Sequence, residues 1–196
     1  MKKNLWISIA MTAVTTVLLG LIYPLVVTGF AQVIFPRNAN GQLIVKNRKV
    51  IGSSIIGQGF TGLGYFHSRP SSAGNGYDAA NSGGSNLGPT NQKLLDRVKA
   101  DVASAHAENP GVPIPIDMVT TSASGFDPHI TPANAEFQLS RVAKVRGISV
   151  EQVKALVSKH TEGRQFGILG EPRINVLELN LDLDRQFPVV PQAKIE

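Results

Sequence analysis

The side chains able to do chemistry are few and scattered. Cysteine is absent, which removes disulfides, zinc ribbons, iron–sulfur clusters and thiol nucleophiles together. Four histidines occur, His67, His106, His129 and His160, and no two stand at a metal-ligand spacing. Asp127 and His129 flank Pro128 and could share a cation or act as a base with its orienting carboxylate. Turn hydrogen bonds and caps account for such a pair more simply. Ser82, Ser85, Ser122 and Ser124 lie in Gly/Ser-rich segments with no base beside them, the setting of turn-forming serines rather than nucleophiles. Gly83-Gly84-Ser85-Asn86 could present consecutive backbone N–H groups to an anion. No GxxxxGK[ST] phosphate loop, GxSxG turn, HExxH helix or GxGxxG opening a helix is present.

Two different polymers position these residues. From Asn4 to Pro36 there is no charged side chain, and the apolar run Leu5–Phe35 is 31 residues long. A bilayer core needs about 20 helical residues, whereas a cleaved signal carries an apolar stretch of only about 7–15. Residues 1–36 therefore read as one permanent transmembrane helix, with Trp6 at one interface and Phe30 and Phe35 at the other. Ser8, Thr12, Thr16, Gly20, Pro24 and Thr28 recur every fourth residue and form a slowly drifting stripe on which a partner helix can pack. Leu18, Leu19, Leu21 and Leu25 fall off the stripe and can face acyl chains. Pro24 removes one backbone hydrogen bond and should bend the helix. Orientation is ambiguous by charge: Lys2 and Lys3 precede the span, but Arg37, Lys46, Arg48 and Lys49 follow it.

Residues 37–196 read as a soluble α+β domain tethered by that helix. Leu43–Val45 and Lys49–Ile51 flank a turn at Lys46-Asn47-Arg48, the pattern of a hairpin. A Gly-rich stretch leads into GYFHSRP (Gly64–Pro70), and Pro70–Asn91 is a loop by composition. A loop that long inside a compact domain is often functional. Helices are expected from Asn91 to about Ala107, from Thr131-Pro132 to Gly147, and after the capping box Ser149–Gln152. Alternation of Leu177, Leu179, Leu181 and Leu183 with Glu178, Asn180 and Asp182 predicts a half-buried strand over Asn175–Leu183. The tail from Phe187 is expected to fray. Nineteen Lys and Arg against fourteen Asp and Glu give +5, scattered without a run, which does not fit a nucleic-acid binder.

Four long blocks, GYFHSRPSSAGNGYDAANSGGSNLGPTNQ (Gly64–Gln92), VTTSASGFDPHITPANAEFQ (Val119–Gln138), RVAKVRG (Arg141–Gly147) and LGEPRINVLELNLDLD (Leu169–Asp184), occur in this order behind a span carrying Tyr23-Pro24. Together they resemble the C subunit of the bacterial Kdp potassium-transporting ATPase. The resemblance implies an accessory subunit, not itself an enzyme, of a high-affinity K⁺ importer. Its implied partners are a channel-like A subunit, an ATP-hydrolysing B subunit and a small F subunit. The chain has no DKTGT phosphorylation sequence, so it is not the hydrolysing subunit. The family is described as a catalytic chaperone that raises the B subunit's affinity for ATP. That makes ATP the one implied ligand, with Gln138 and Gln152 as possible contacts. It also implies the inner (cytoplasmic) membrane, with the N-terminus inside and the domain outside beside the K⁺ entrance. An external domain cannot touch cytoplasmic ATP, so coupling would be indirect. Catalytic residues and metal ligands are not expected. Docking is assigned to the stripe Ser8, Thr12, Thr16, Gly20 and Pro24, and to loop residues Gly64, Tyr65, Phe66, His67, Arg69, Pro70, Gly83, Gly84, Ser85, Asn86, Ser124 and Asp127. Two alternatives stay open: a membrane-anchored hydrolase using a serine with His67 or His129, and a free-standing surface binding module.

Overall fold

The computed structural model describes residues 1–188. The chain divides into two compact units after Ser53, and the hairpin falls in the first with the apolar helix.

The first unit opens with helix α1 (Lys2–Thr15), continues through a π-helical stretch, Thr16–Ile22, and resumes as α2 (Tyr23–Ile34). The helical run Lys2–Ile34 is long and apolar enough to cross a membrane, and none of its most apolar window is buried within the chain. The expected disturbance at Pro24 takes the form of a register change. Without an N–H on Pro24 the Gly20 carbonyl lacks its usual partner four residues on. The ladder answers by widening, and Tyr23 N–H reaches back five residues to Leu18. Helix α3 (Pro36–Ala39) follows, then strands β1 (Leu43–Lys46) and β2 (Lys49–Ser53). Their turn residues Asn47 and Arg48 both have positive φ, 52° and 62°, the tight connection that matches strand twist.

The second unit begins at Ser54. Helix α4 (Gln92–Glu108) is capped by the Asn91 side chain, α5 (Pro132–Arg146) by Thr131, and α6 (Val150–Lys159) by the reciprocal Ser149–Gln152 box. A small antiparallel sheet has β5 (Arg173–Asn175) between β3 (His129–Ile130) and β4 (Thr161–Glu162). Beyond β5 the expected strand is a helix, α7 (Val176–Gln186), capped by the Asn175 side chain. The alternation of leucines misled because Asn180 and Asp182 face inward with them. Val176, Leu179 and Leu183 recur at helical spacing, Leu and Glu favour helix, and Asn175 with Glu178 three residues on is a helix-start signal. The core gathers Ile130, Leu139, Val142, Val153, Leu156, Ile174, Leu179 and Leu183. Phe66, from an irregular segment, is fully buried among them. The expected fray after Phe187 lies outside the described residues. Phe187 itself donates its N–H to Leu183 and packs on the core.

Candidate functional site

The GYFHSRP segment has no regular secondary structure, yet its peptide groups are taken up by side chains. Six consecutive carbonyls, Gly62 to His67, each accept from a side chain. His67 Nε2 donates to Gly62 (3.0 Å), Arg141 Nη1 to Leu63 (2.5 Å) and Tyr65 (2.8 Å), and Arg146 Nε to Gly64 (2.7 Å). Asn180 Nδ2 donates to Phe66 (2.9 Å) and Gln138 Nε2 to His67 (3.1 Å). The same two carboxamides also accept, Asn180 from Phe66 N–H (2.9 Å) and Gln138 from His67 N–H (2.8 Å). Asn180 and Gln138 thus stand in for a neighbouring strand, satisfying buried peptide groups that would otherwise cost stability. Gln138 is further held by Asn134 Oδ1 at 2.6 Å and Arg141 at 2.6 Å.

Charge reinforces the clamp. The Arg146 side chain is wholly buried, lies 2.8 Å from Asp184, and stacks over the Tyr65 ring. Tyr65 donates to Asp184 at 3.1 Å, and burial, then that carboxylate, push its phenol pKa up. Burial, with Arg141 beside it, pulls the His67 pKa down, consistent with a neutral ring donating from Nε2. Tyr77 donates to the Arg69 carbonyl at 2.6 Å, and its pKa is pushed up to about 12 chiefly by burial.

The remaining loops are welded side by side. Ser71 bridges Ser122 in parallel, Ser72 N–H donates to Ser122, and Gly83 N–H to Ala123. Ser82 Oγ donates to the Ser124 carbonyl at 2.5 Å. Two glycines allow this contact. A methyl at Gly57 would collide with the Asp127 carbonyl and the Tyr77 ring, and Gly125, at φ 68°, lies against the Asp78 carbonyl.

Most of the groups that could react are not brought together. Asp127 accepts from Arg69 (3.1 Å) and from His129 N–H (3.1 Å), whereas the His129 ring nitrogen is 3.9 Å away. Burial and Arg173 pull the His129 pKa down. These residues line a cleft of about 260 Å³ with Asp117, Thr131, Glu171 and Arg173. Ser82 and Ser124 bond to backbone or to another serine, and no histidine joins them. No cluster of three metal-ligating side chains occurs among the described residues.

The chain matches the family model of the K⁺-transporting ATPase c chain over residues 5–185. A Koribacter versatilis protein named potassium-transporting ATPase KdpC subunit is 69% identical over 189 residues, 96% of this chain and 98% of its own length. Proteins of the same name from Myxococcus xanthus and Rhodospirillum rubrum are 56% and 54% identical, over 92% and 96% of this chain and 87% and 99% of theirs. The chain belongs to the KdpC family. It is therefore an accessory subunit of a K⁺-transporting ATPase, with other Kdp subunits as its partners.

For a KdpC subunit, the loop residues expected to dock fall into two groups. Phe66 and Gly64 are buried, and Tyr65, His67, Arg69, Pro70, Ser124 and Asp127 are half-buried. Phe66 is core, so its side chain is not a docking element. Gly83, Gly84, Ser85 and Asn86 are exposed. Gln138 is buried in the clamp, and Gln152 closes the α6 capping box. The stripe residues lie along the apolar helix, where Ser8 Oγ donates to the Asn4 carbonyl. An apolar recess of about 390 Å³ runs beside the π turn, lined by Ala13, Val14, Val17, Leu18 and Ile22 rather than by the stripe. Sequence reasoning missed Arg141, Arg146, Asn180 and Asp184 as loop holders. The signal was there in α5: Asn134, Gln138 and Arg141 form a polar stripe beside the apolar Ala135, Leu139 and Val142.

Proposed function

We propose that this subunit works by docking and carries no reaction of its own. Its apolar helix packs against partner spans, and its Gly/Ser/Asn loop layer follows the surface of a channel-like subunit. The observation that carries this reading is the clamp. A loop with six successive carbonyls held by its own chain is a preformed, rigid surface, not a lid, and preformed surfaces lose little entropy on binding.

The inner (cytoplasmic) membrane with the N-terminus inside and the domain outside completes the proposal, alongside A, B and F subunits as the specific partners. A raised ATP affinity of the hydrolysing subunit would then pass through subunit packing. The Gln138 carboxamide is occupied at both ends within the chain, and the Gln152 oxygen accepts from Ser149 N–H in the capping box, which counts against direct binding.

Gly83→Trp tests the docking surface. A Cβ at Gly83 meets nothing closer than 4.0 Å and its φ is unstrained, so the chain folds normally while the bulk blocks an interface. Loss of the subunit from the purified pump, with an unchanged melting temperature of the chain, is expected. Recovery of the whole complex at wild-type yield refutes the surface. The absence of cysteine makes Ser85→Cys a clean topology probe. Labelling by an impermeant maleimide in intact cells is expected, and labelling only after permeabilisation overturns the orientation.

A further inference from the structure

The hairpin joining β4 to β5 differs from the other loops in what it presents. Past the strand pairs, Gln165 and Leu169 exchange both backbone hydrogen bonds at 2.9 Å, extending the ladder outward. Two ion pairs brace the stem: Arg173 to Glu162 at 3.0 Å, and Arg164 to both oxygens of Glu171 at 2.8 and 2.7 Å. The tip is apolar and open. Phe166 is 91% exposed, Ile168 75% and Leu169 54%. Phe166 also sits in the left-handed region at φ 54°, an uncommon conformation for a bulky side chain. None of the three belongs to the core cluster. The chain gains nothing internal from an aromatic held in a costly conformation on a braced stem, and such outliers cluster where partners are gripped.

We infer that the finger Thr161–Arg173 is a plug whose Phe166 and Ile168 enter an apolar pocket on another subunit of the K⁺-transporting ATPase. This rests on family membership and not on the Gly83–Asn86 surface proposed above. Charge selects the occupant. The stem's two arginines are each paired with a glutamate, leaving no basic surplus for anionic headgroups. A loop built for the bilayer interface would surround its apolar tip with unpaired Lys or Arg. A protein pocket instead favours an aromatic anchor inside a polar rim, and a braced hairpin has little freedom left to lose on entry.

The test is run in the assembled pump. Phe166 is replaced by a benzophenone-bearing amino acid, the complex is irradiated, and adducts are identified by mass. A covalent adduct with another pump subunit is expected. Adducts with lipid only, with a second copy of this chain only, or none at all overturn the inference. As a second arm, F166S/I168S should cut the subunit's recovery in the complex by about tenfold or more, the scale of losing a central anchor. Its melting temperature should stay unchanged, since the tip packs on nothing in the core. Wild-type recovery refutes the plug, and the crosslink decides the matter even if the double variant folds poorly.

Discussion

Replacing Asn180 by Leu should loosen the signature segment from within. Asn180 is 1% exposed and holds both the N–H and the C=O of Phe66 at 2.9 Å. Leucine has similar bulk, so no large cavity opens and the loss is one of hydrogen bonding. A buried polar group left unpaired costs about 1–3 kcal/mol, so two cost about 2–6. The leucine's apolar surface returns roughly 1–2 kcal/mol. Taking the middle of each range, about 4 less about 1.5, the net is about 2.5 kcal/mol, a large share of a stability of about 5–15 kcal/mol. Chemical denaturation of the full chain in detergent measures the change. Amide exchange at Phe66 and His67, and chymotryptic cutting after Tyr65 or Phe66, show where it falls. A variant within about 0.5 kcal/mol of wild type, the scatter of ordinary surface changes, with Phe66 still protected, would refute the claim that the carboxamide holds the loop.

Asp182 faces His160 and Lys159, each at 2.9 Å, and hydrogen bonds first from His160, then from Lys159, hold its carboxyl well below the usual carboxylate range. A depressed carboxyl adds stability that is present above its unfolded pKa, near 3.9, and is lost as pH falls below that. Asp182→Asn should therefore lower stability at pH 7 by about 1–3 kcal/mol and flatten the acid limb of a melting-temperature profile; parallel limbs would contradict it. Gly57→Ala should destabilise severely, because backbone of the 126–127 loop blocks its methyl, whereas Gly88→Ala, with open space around it, should change stability by less than about 0.5 kcal/mol; thermal melts compare the two directly. Gly20→Leu has room within the chain, its new Cβ meeting only Thr16 at 3.9 Å. It should nonetheless weaken pump assembly, and intact complex at wild-type yield would remove Gly20 from the partner face.

Much of the architecture is legible from local signals. The apolar span, the hairpin turn at Asn47-Arg48, the Asn91 and Thr131 caps and the Ser149–Gln152 box all act within a few residues. The exception is Asn175–Leu183, where a period of two in Leu masks the cap at Asn175 and Glu178. Of the clamp, only the polar stripe Asn134, Gln138 and Arg141 on α5 is legible, and not what it holds. Its partners are 71 and 114 positions apart, and no spacing rule links GYFHSRP to Gln138 or Asn180. On a strand Asn180 would face outward, and only the helix turns it toward Phe66. The neighbours of Phe66 suggest a docking loop, whereas only the fold shows that its ring points into the core.

The clamp also orders events in time. Gly62–His67 leaves the ribosome early, but the side chains that fasten it stand on the last two-thirds of the chain, the final ones near its end. Until α7 has emerged and packed, Phe66 lacks its carboxamide partner and Tyr65 and Arg146 lack Asp184, and contacts so remote in sequence close late. A polypeptide lacking α7 therefore meets its neighbours with the Phe66 peptide groups unpaired at the centre of this stretch, so the last helix finishes a surface that the earlier ones only begin.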